Sequence, residues 1–145
     1  MIKTYGLTHL ALAVRNVSRA AAFYKKVFGA VEVYRSDGFV QVQTPGCRDV
    51  LVFEERDASE VGKSGGIAHF GFRLQSPKDI DAAARAIRRA GGTVQERGAF
   101  VPGEPYLFAT DPDGYEIEIW YERPTPVDPP EEPETAKPRS SRKKA

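Results

Sequence analysis

Hydrophobic and polar positions alternate along residues 8–14 (THLALAV). Thr8, Leu10, Leu12 and Val14 fall on one side of an extended chain, and His9, Ala11 and Ala13 on the other. The alternation returns at residues 68–74 (AHFGFRL), with Ala68, Phe70, Phe72 and Leu74 on one side and His69, Gly71 and Arg73 on the other. Each stretch leads through a short polar link into a helical pattern. In VSRAAAFYKKVFGA, Ser18 is expected to cap the start and Gly29 to stop the helix. In SPKDIDAAARAIRRAGG, Ser76 caps, Pro77 suits the first helical position, Asp79 favours the first turn, and Gly91 with Gly92 ends it. A short strand follows each helix, VEVYR and then TVQER. A hairpin follows each of these: FVQVQT to DVLVFEE, and PYLFAT to YEIEIWYE. The order βαβββ occurs twice, which predicts an α+β fold of two modules over residues of about 5–56 and 66–122.

The helices need apolar surface to pack on, so the Leu and Phe sides of the first strands belong to them. In the closing strand, Ile117, Ile119 and Tyr121 join that side, and Glu116, Glu118 and Trp120 are left with the histidines. An ionised carboxylate on such a face, Glu118, is costly unless it is paired or bound to a metal. The chain has two histidines, His9 and His69, at matching places in the repeat. Two imidazoles and a carboxylate make a three-ligand site with open positions, suited to a catalytic divalent ion. Tyr106 and Phe108 line the same space if their parity matches Glu118, with Phe53 and Trp120 as aromatic walls or, equally, as core packing. Gln41 and Gln43 alternate with Val40 and Val42, which places them on the cup face or on an exposed edge. Arg73 stands where it either meets an anionic substrate group or reaches solvent at the rim. Glu116 either points inward or is solvated near the strand start. Asp-Pro-Asp-Gly, residues 111–114, is expected to form the turn that feeds the strand.

At 145 residues the chain suits one domain. A net charge of +1 gives no ground for a nucleic-acid partner. The single cysteine, Cys47, excludes a disulfide framework within the chain and sits in a turn-like TPGCRD. The N-terminus lacks the apolar stretch of a signal peptide, and no apolar run reaches the roughly 18 residues of a membrane span. A cytoplasmic protein without a membrane partner is the expectation. Composition changes at Pro124: residues 124–145 hold six of the eleven prolines and almost no large apolar side chain. They are expected to be a flexible tail, leaving 1–123 as the folded domain.

The stretches THLALAV, AHFGFRL and DPDGYEIEI resemble signature strands of the vicinal oxygen chelate superfamily, which includes glyoxalase I, bleomycin-resistance proteins, fosfomycin-resistance thiol transferases and extradiol dioxygenases. The resemblance covers residues 5–122. It implies two βαβββ modules whose mixed sheets curl into an open cup around one metal, with His9, His69 and Glu118 as ligands. The ion implied is Fe2+, Zn2+, Mn2+, Ni2+ or Co2+, and the activity is that of a metal-dependent lyase, isomerase or dioxygenase acting on a small molecule. Tyr106 or Glu116 would then supply the acid–base group, because both histidines are already used. The resemblance also implies a homodimer in which His9 comes from one subunit and His69 with Glu118 from the other, a single-chain cup being the alternative. Some members take a fourth ligand from the last strand of the first half. Matching VLVFEE to IEIWYE puts Leu51 opposite Glu118, with Glu54 out of parity and Glu55 near the strand end, so the four-ligand pattern is not met. Ala11 stands where the thiol transferases carry a threonine. Metal-free binding of a drug or aromatic compound, as in bleomycin-resistance proteins, is the other function the resemblance allows.

Overall fold

A computed structural model describes Leu7 and residues 9–130. Residues 1–6, Thr8 and 131–145 lie outside the described residues, so the side assigned to Thr8 and most of the expected tail stand as expectations. The first module runs β1 (His9–Val14), α1 (Val17–Phe28), β2 (Val31–Ser36), β3 (Phe39–Gln43) and β4 (Val50–Glu55). The second runs β5 (Phe70–Arg73), a 3-10 turn (Pro77–Asp79), α2 (Ile80–Arg89), β6 (Thr93–Val101), β7 (Glu104–Thr110) and β8 (Glu116–Trp120). Each module forms a four-stranded sheet, ordered β1-β4-β3-β2 and β5-β8-β7-β6. In each, the first strand pairs in parallel with the last and the other pairs are antiparallel. The fold is α+β, as the duplicated plan predicts, and neither sheet closes on itself.

The helix boundaries follow local chemistry. Asn16, not Ser18, caps α1: its side-chain oxygen accepts from the Arg19 amide at 2.8 Å. Both residue types cap helices, but Val17 is already helical, which places Ser18 inside the first turn. Gly29 ends α1 in the left-handed conformation, φ 67°, and its amide donates to the Lys25 carbonyl. Ser76 accepts from the Lys78 amide, but its cap opens the 3-10 turn, and α2 begins only at Ile80.

Both sheets turn one face to the helices and share one core. Leu12 and Val14, Val40 and Val42, Leu51 and Phe53 meet it from the first sheet; Leu107 and Ala109, Ile117 and Ile119 from the second. Helix α1 joins the two. The Tyr24 ring lies 5.2 Å from Phe53, 6.5 Å from Phe70 and 6.3 Å from Phe72, and Phe28 stacks on Phe72 at 3.8 Å. Burying a large apolar side chain contributes about 1.5–3 kcal/mol, so Tyr24 and Phe28, packed on Phe70 and Phe72, are a principal bond between the modules.

The DPDG turn adds a polar joint. The Asp111 carboxylate accepts from the Asp113 and Tyr115 amides at 2.9 and 3.0 Å and from the Tyr24 hydroxyl at 2.9 Å. Asp113 accepts from the Arg19 guanidinium at 2.6 Å and from the Arg15 amide at 3.3 Å. Burial raises the pKa of Asp111 above the usual carboxylate range, while its hydrogen bonds pull the other way. The turn therefore feeds β8, as expected, and also ties the second module to the start of α1.

Candidate functional site

The faces turned away from the helices carry the candidate residues. In the second sheet, register sets them in rows: Gly71 opposite Glu118 and Glu118 opposite Phe108, then Arg73 opposite Trp120 and Trp120 opposite Tyr106. His69 immediately precedes β5. Its Nε2 lies 3.1 Å from Glu118 Oε2, its Nδ1 lies 4.0 Å from Glu116 Oε1, and its ring packs edge-on against Phe108 at 5.2 Å. The imidazole thus stands between two carboxylates with one aromatic neighbour. Gly71 keeps the space above Glu118 open, since a Cβ there would come within 3.2 Å of the Glu118 carbonyl oxygen.

His9 is exposed on β1, an edge strand of the other sheet, on the side of Ala11 and Ala13. The structure brings His69 and Glu118 together and does not bring His9 to them. Among the described residues, no group of three His, Cys, Asp or Glu side chains could hold a metal ion. The pair His69 and Glu118 fits a divalent ion in donor type, and a further donor must come from elsewhere. A cleft of about 500 Å3 runs between the edges of β1 and β5, lined by Ala11, Ala13, Lys63, His69 and Glu116.

Three expected placements change. The register pairs Ala11 with Val52 as it pairs Gly71 with Glu118, so Val52, not Leu51, is the counterpart of Glu118. The one-residue difference reverses the faces of β4. Glu54 lies on the face of Val52 and Ala13, pairing with Arg56 at 2.6 Å, while Leu51 and Phe53 turn to the helices. Phe53 is wholly buried against Tyr24 and lines no part of the cup face. Val52 offers no donor, so the first module still lacks a fourth ligand.

Gln41 lies on the open face of the first sheet beside Val52, and Gln43 donates to the Cys47 carbonyl at 2.6 Å. Arg73 is on the open face but engaged: its guanidinium donates to both Asp128 oxygens, at 3.2 and 2.9 Å, and to the Glu122 carbonyl at 3.3 Å. Residues 124–130, expected as tail, therefore lie against the sheet at Arg73. Asp128 also accepts from the Thr125 amide and hydroxyl, and its pKa is lowered to about 2, chiefly by Arg73.

Tyr106 lies flat over Gly98 on β6, where a Cβ would sit 2.8 Å from its hydroxyl. Its hydroxyl donates to Glu96 at 2.7 Å, and this bond is the main cause of its raised pKa. Phe100 stacks on Tyr106 at 4.1 Å and meets Trp120 edge-on at 5.5 Å. Gly98 and Phe100 were missed because the strand was expected to stop at Arg97, whereas β6 continues to Val101; Glu96 lay within the expected strand, but nothing local tied it to its partner Tyr106. The alternation of Glu96, Gly98 and Phe100 before the Pro-Gly of VPGE was the available signal.

The sequence model of the Glyoxalase/Bleomycin resistance protein/Dioxygenase superfamily matches residues 6–119. A catechol-2,3-dioxygenase of Bacillus subtilis is 30% identical over 124 residues, 81% of this chain and 42% of that protein, so the chain spans less than half of that relative's length. An uncharacterized protein of Pseudomonas aeruginosa is 31% identical over 81% of this chain and 89% of its own. Among solved structures, a mutant fosfomycin resistance protein, FosX, of Listeria monocytogenes, complexed with Mn(II) and a dihydroxypropylphosphonic acid, superposes with a TM-score of 0.66 at 21% identity. That match covers 81% of this chain and 90% of the other. No described helix is long and apolar enough to cross a membrane.

Proposed function

The chain belongs to the Glyoxalase/Bleomycin resistance protein/Dioxygenase superfamily, and from that membership we propose that it is a metal-dependent enzyme in which His69 and Glu118 of one copy and His9 of a second copy hold one divalent ion. The observation that carries this reading is the approach of His69 Nε2 to Glu118 Oε2 at 3.1 Å on an open face. The free edges of β1 and β5 are where a second copy could add its strand and bring its histidine.

A bound divalent ion supplies Lewis acidity toward the oxygens of a small substrate. The chain's own residues position and shield. Glu116, facing the far nitrogen of His69, orients the imidazole, as outer-shell carboxylates do for ligating histidines. Phe108 fixes the ring's tilt. Tyr106, with its proton held toward Glu96 and its pKa raised, acts as a hydrogen-bond donor and not as a base. Fe2+ would direct this site to oxygenation; Zn2+, Mn2+, Ni2+ or Co2+ would direct it to lyase or isomerase chemistry.

The test is metal stoichiometry by elemental analysis and Mn(II) titration. His9→Ala and Glu118→Ala proteins should each lose binding, and co-folding the two in equal amounts should restore about a quarter of the sites, because half of the dimers are mixed and one of the two cups in each regains all three ligands. No restoration would assign the site to a single chain. Unchanged stoichiometry in both single variants would overturn the metal reading. A metal-free binding protein would instead keep its ligand affinity in both variants.

A further inference from the structure

Phe100 is half exposed, with 51% of its surface accessible, although it stacks on Tyr106 and abuts Trp120. These three rings form one platform on the face that carries Glu118. Register fixes its place: Tyr106 and Trp120 are opposed, one row further along the strands than Phe108 and Glu118. Gly98 is built into it, since any side chain there would displace the Tyr106 ring. Tyr106 in turn meets Phe108 edge-on at 5.6 Å, and Phe108 meets His69, so the platform continues to the ligand pair.

The charges around it are one-sided. Glu96 lies on the hydroxyl of Tyr106, and Glu118 and Glu116 lie beyond. The cations at the platform's end are engaged with carboxylates of this chain: Arg73 with Asp128 and Glu122, and Arg123 with Glu104 at 3.3 Å. Lys63 lines the cleft at the His69 end, away from Phe100. Among the described residues, an anionic group laid on these rings would meet carboxylates and the guanidinium groups of Arg73 and Arg123 already engaged by carboxylates, whereas an uncharged or cationic ring gains stacking without that opposition.

We propose that Phe100, Tyr106 and Trp120 form a subsite for an aromatic ring that carries no anionic group, which defines the substrate class of the site. The inference rests on the reading of this face as the active site, and it sets the chain apart from a binder of phosphonates. Ring face meets ring face at Phe100, and the substrate's donor atoms are directed along Phe108 toward His69 and Glu118.

Trp120 is the single tryptophan of the chain, so its fluorescence reports on the subsite. The full-length chain is titrated with benzyl alcohol, benzyltrimethylammonium and benzenesulfonate, three probes sharing one ring and binding metals poorly. The first two should change the emission saturably, with benzenesulfonate at least ten-fold weaker. Phe100→Ala should weaken benzyl alcohol binding at least ten-fold, and Phe100→Tyr should retain it. Equal or tighter binding of benzenesulfonate, or unchanged affinity in Phe100→Ala, would overturn the proposal. So would a Phe100→Ala protein whose oligomeric state changes while its probe affinity does not, because Phe100 would then cover a protein contact. The two readings fail separately: Phe100→Ala leaves metal stoichiometry intact, and a chain that holds no metal yet titrates with benzyltrimethylammonium sinks the metal site alone.

Discussion

The hydroxyl of Tyr24, on the helix of the first module, donates to the carboxylate of Asp111, in the second, at 2.9 Å inside the shared core. Tyr24→Phe keeps the ring packing and leaves that carboxylate oxygen without its partner. It should cost about 1–3 kcal/mol, the penalty for an unsatisfied buried acceptor, read as a lower urea midpoint at unchanged slope.

Asp111 also gives stability a pH dependence of known sign. Burial raises its folded pKa above the unfolded value near 4. Its contribution is therefore fully present below about pH 4 and is lost as pH rises through the raised folded value. Relative to Asp111→Asn, the wild-type protein should lose stability between pH 4 and pH 7. Paired urea titrations at those two pH values would show the gap between the proteins moving in that direction.

Asp113 is a buried carboxylate with one oxygen lacking a hydrogen-bond partner, while the other meets Arg19, whose side chain is 45% exposed. Asp113→Ala should cost about 1–3 kcal/mol through loss of the Arg19 and Arg15 contacts. Asp113→Asn should cost less, since one oxygen still accepts and no charge is buried. Thermal melts of the two variants would rank them.

Gly98→Ala should lift the Tyr106 ring from its seat and break its bond to Glu96, because the new Cβ would lie within 3 Å of the ring. With that bond gone, the pKa of Tyr106 should fall back toward 10. Carbon NMR of ring-labelled tyrosine across alkaline pH would follow this one resonance, and Glu96→Gln should shift it in the same direction without altering the backbone.

The segment after β8 is held to Arg73 through Asp128. The Asp128 pKa is lowered to about 2, so its contribution is present above the unfolded value near 4 and is lost as pH falls through about 2. Asp128→Asn should lower the protection factors of the Thr125 and Asp128 amides at neutral pH, and wild-type protection, referred to the intrinsic exchange rate at each pH, should fall to that level only near pH 2.

The duplicated plan and both helix stops were legible because each rests on a local period or a local cap, and alternation within each strand put His69 and Glu118 on the side away from the helices. What escaped depends on neighbours distant in sequence. Whether Leu51 or Val52 faces the cup is decided by pairing with β1, and VLVFEE, apolar on both sides, carries no alternation to reveal it. The choice between cup wall and core for Phe53 stayed open for the same reason, and the structure puts it in the core. Asn16 and Ser18 are both capping residues, and only the Arg19 amide chooses between them. Asp111 and Asp113 read as turn formers because Tyr24 and Arg19, which give them their second role, come from the other module. His9 lies on the edge strand of the other sheet, away from His69 and Glu118, and nothing in the local pattern of THLALAV reveals that separation.

The bridging rings of α1 bear on what each half would be without the other. Tyr24 and Phe28 rest on Phe70 and Phe72 of the opposite half, so severing the polypeptide between residues 56 and 66 would strip both partners bare. Either half made alone would have to cover those aromatics against another surface or leave them in water, an exposed apolar patch that promotes association.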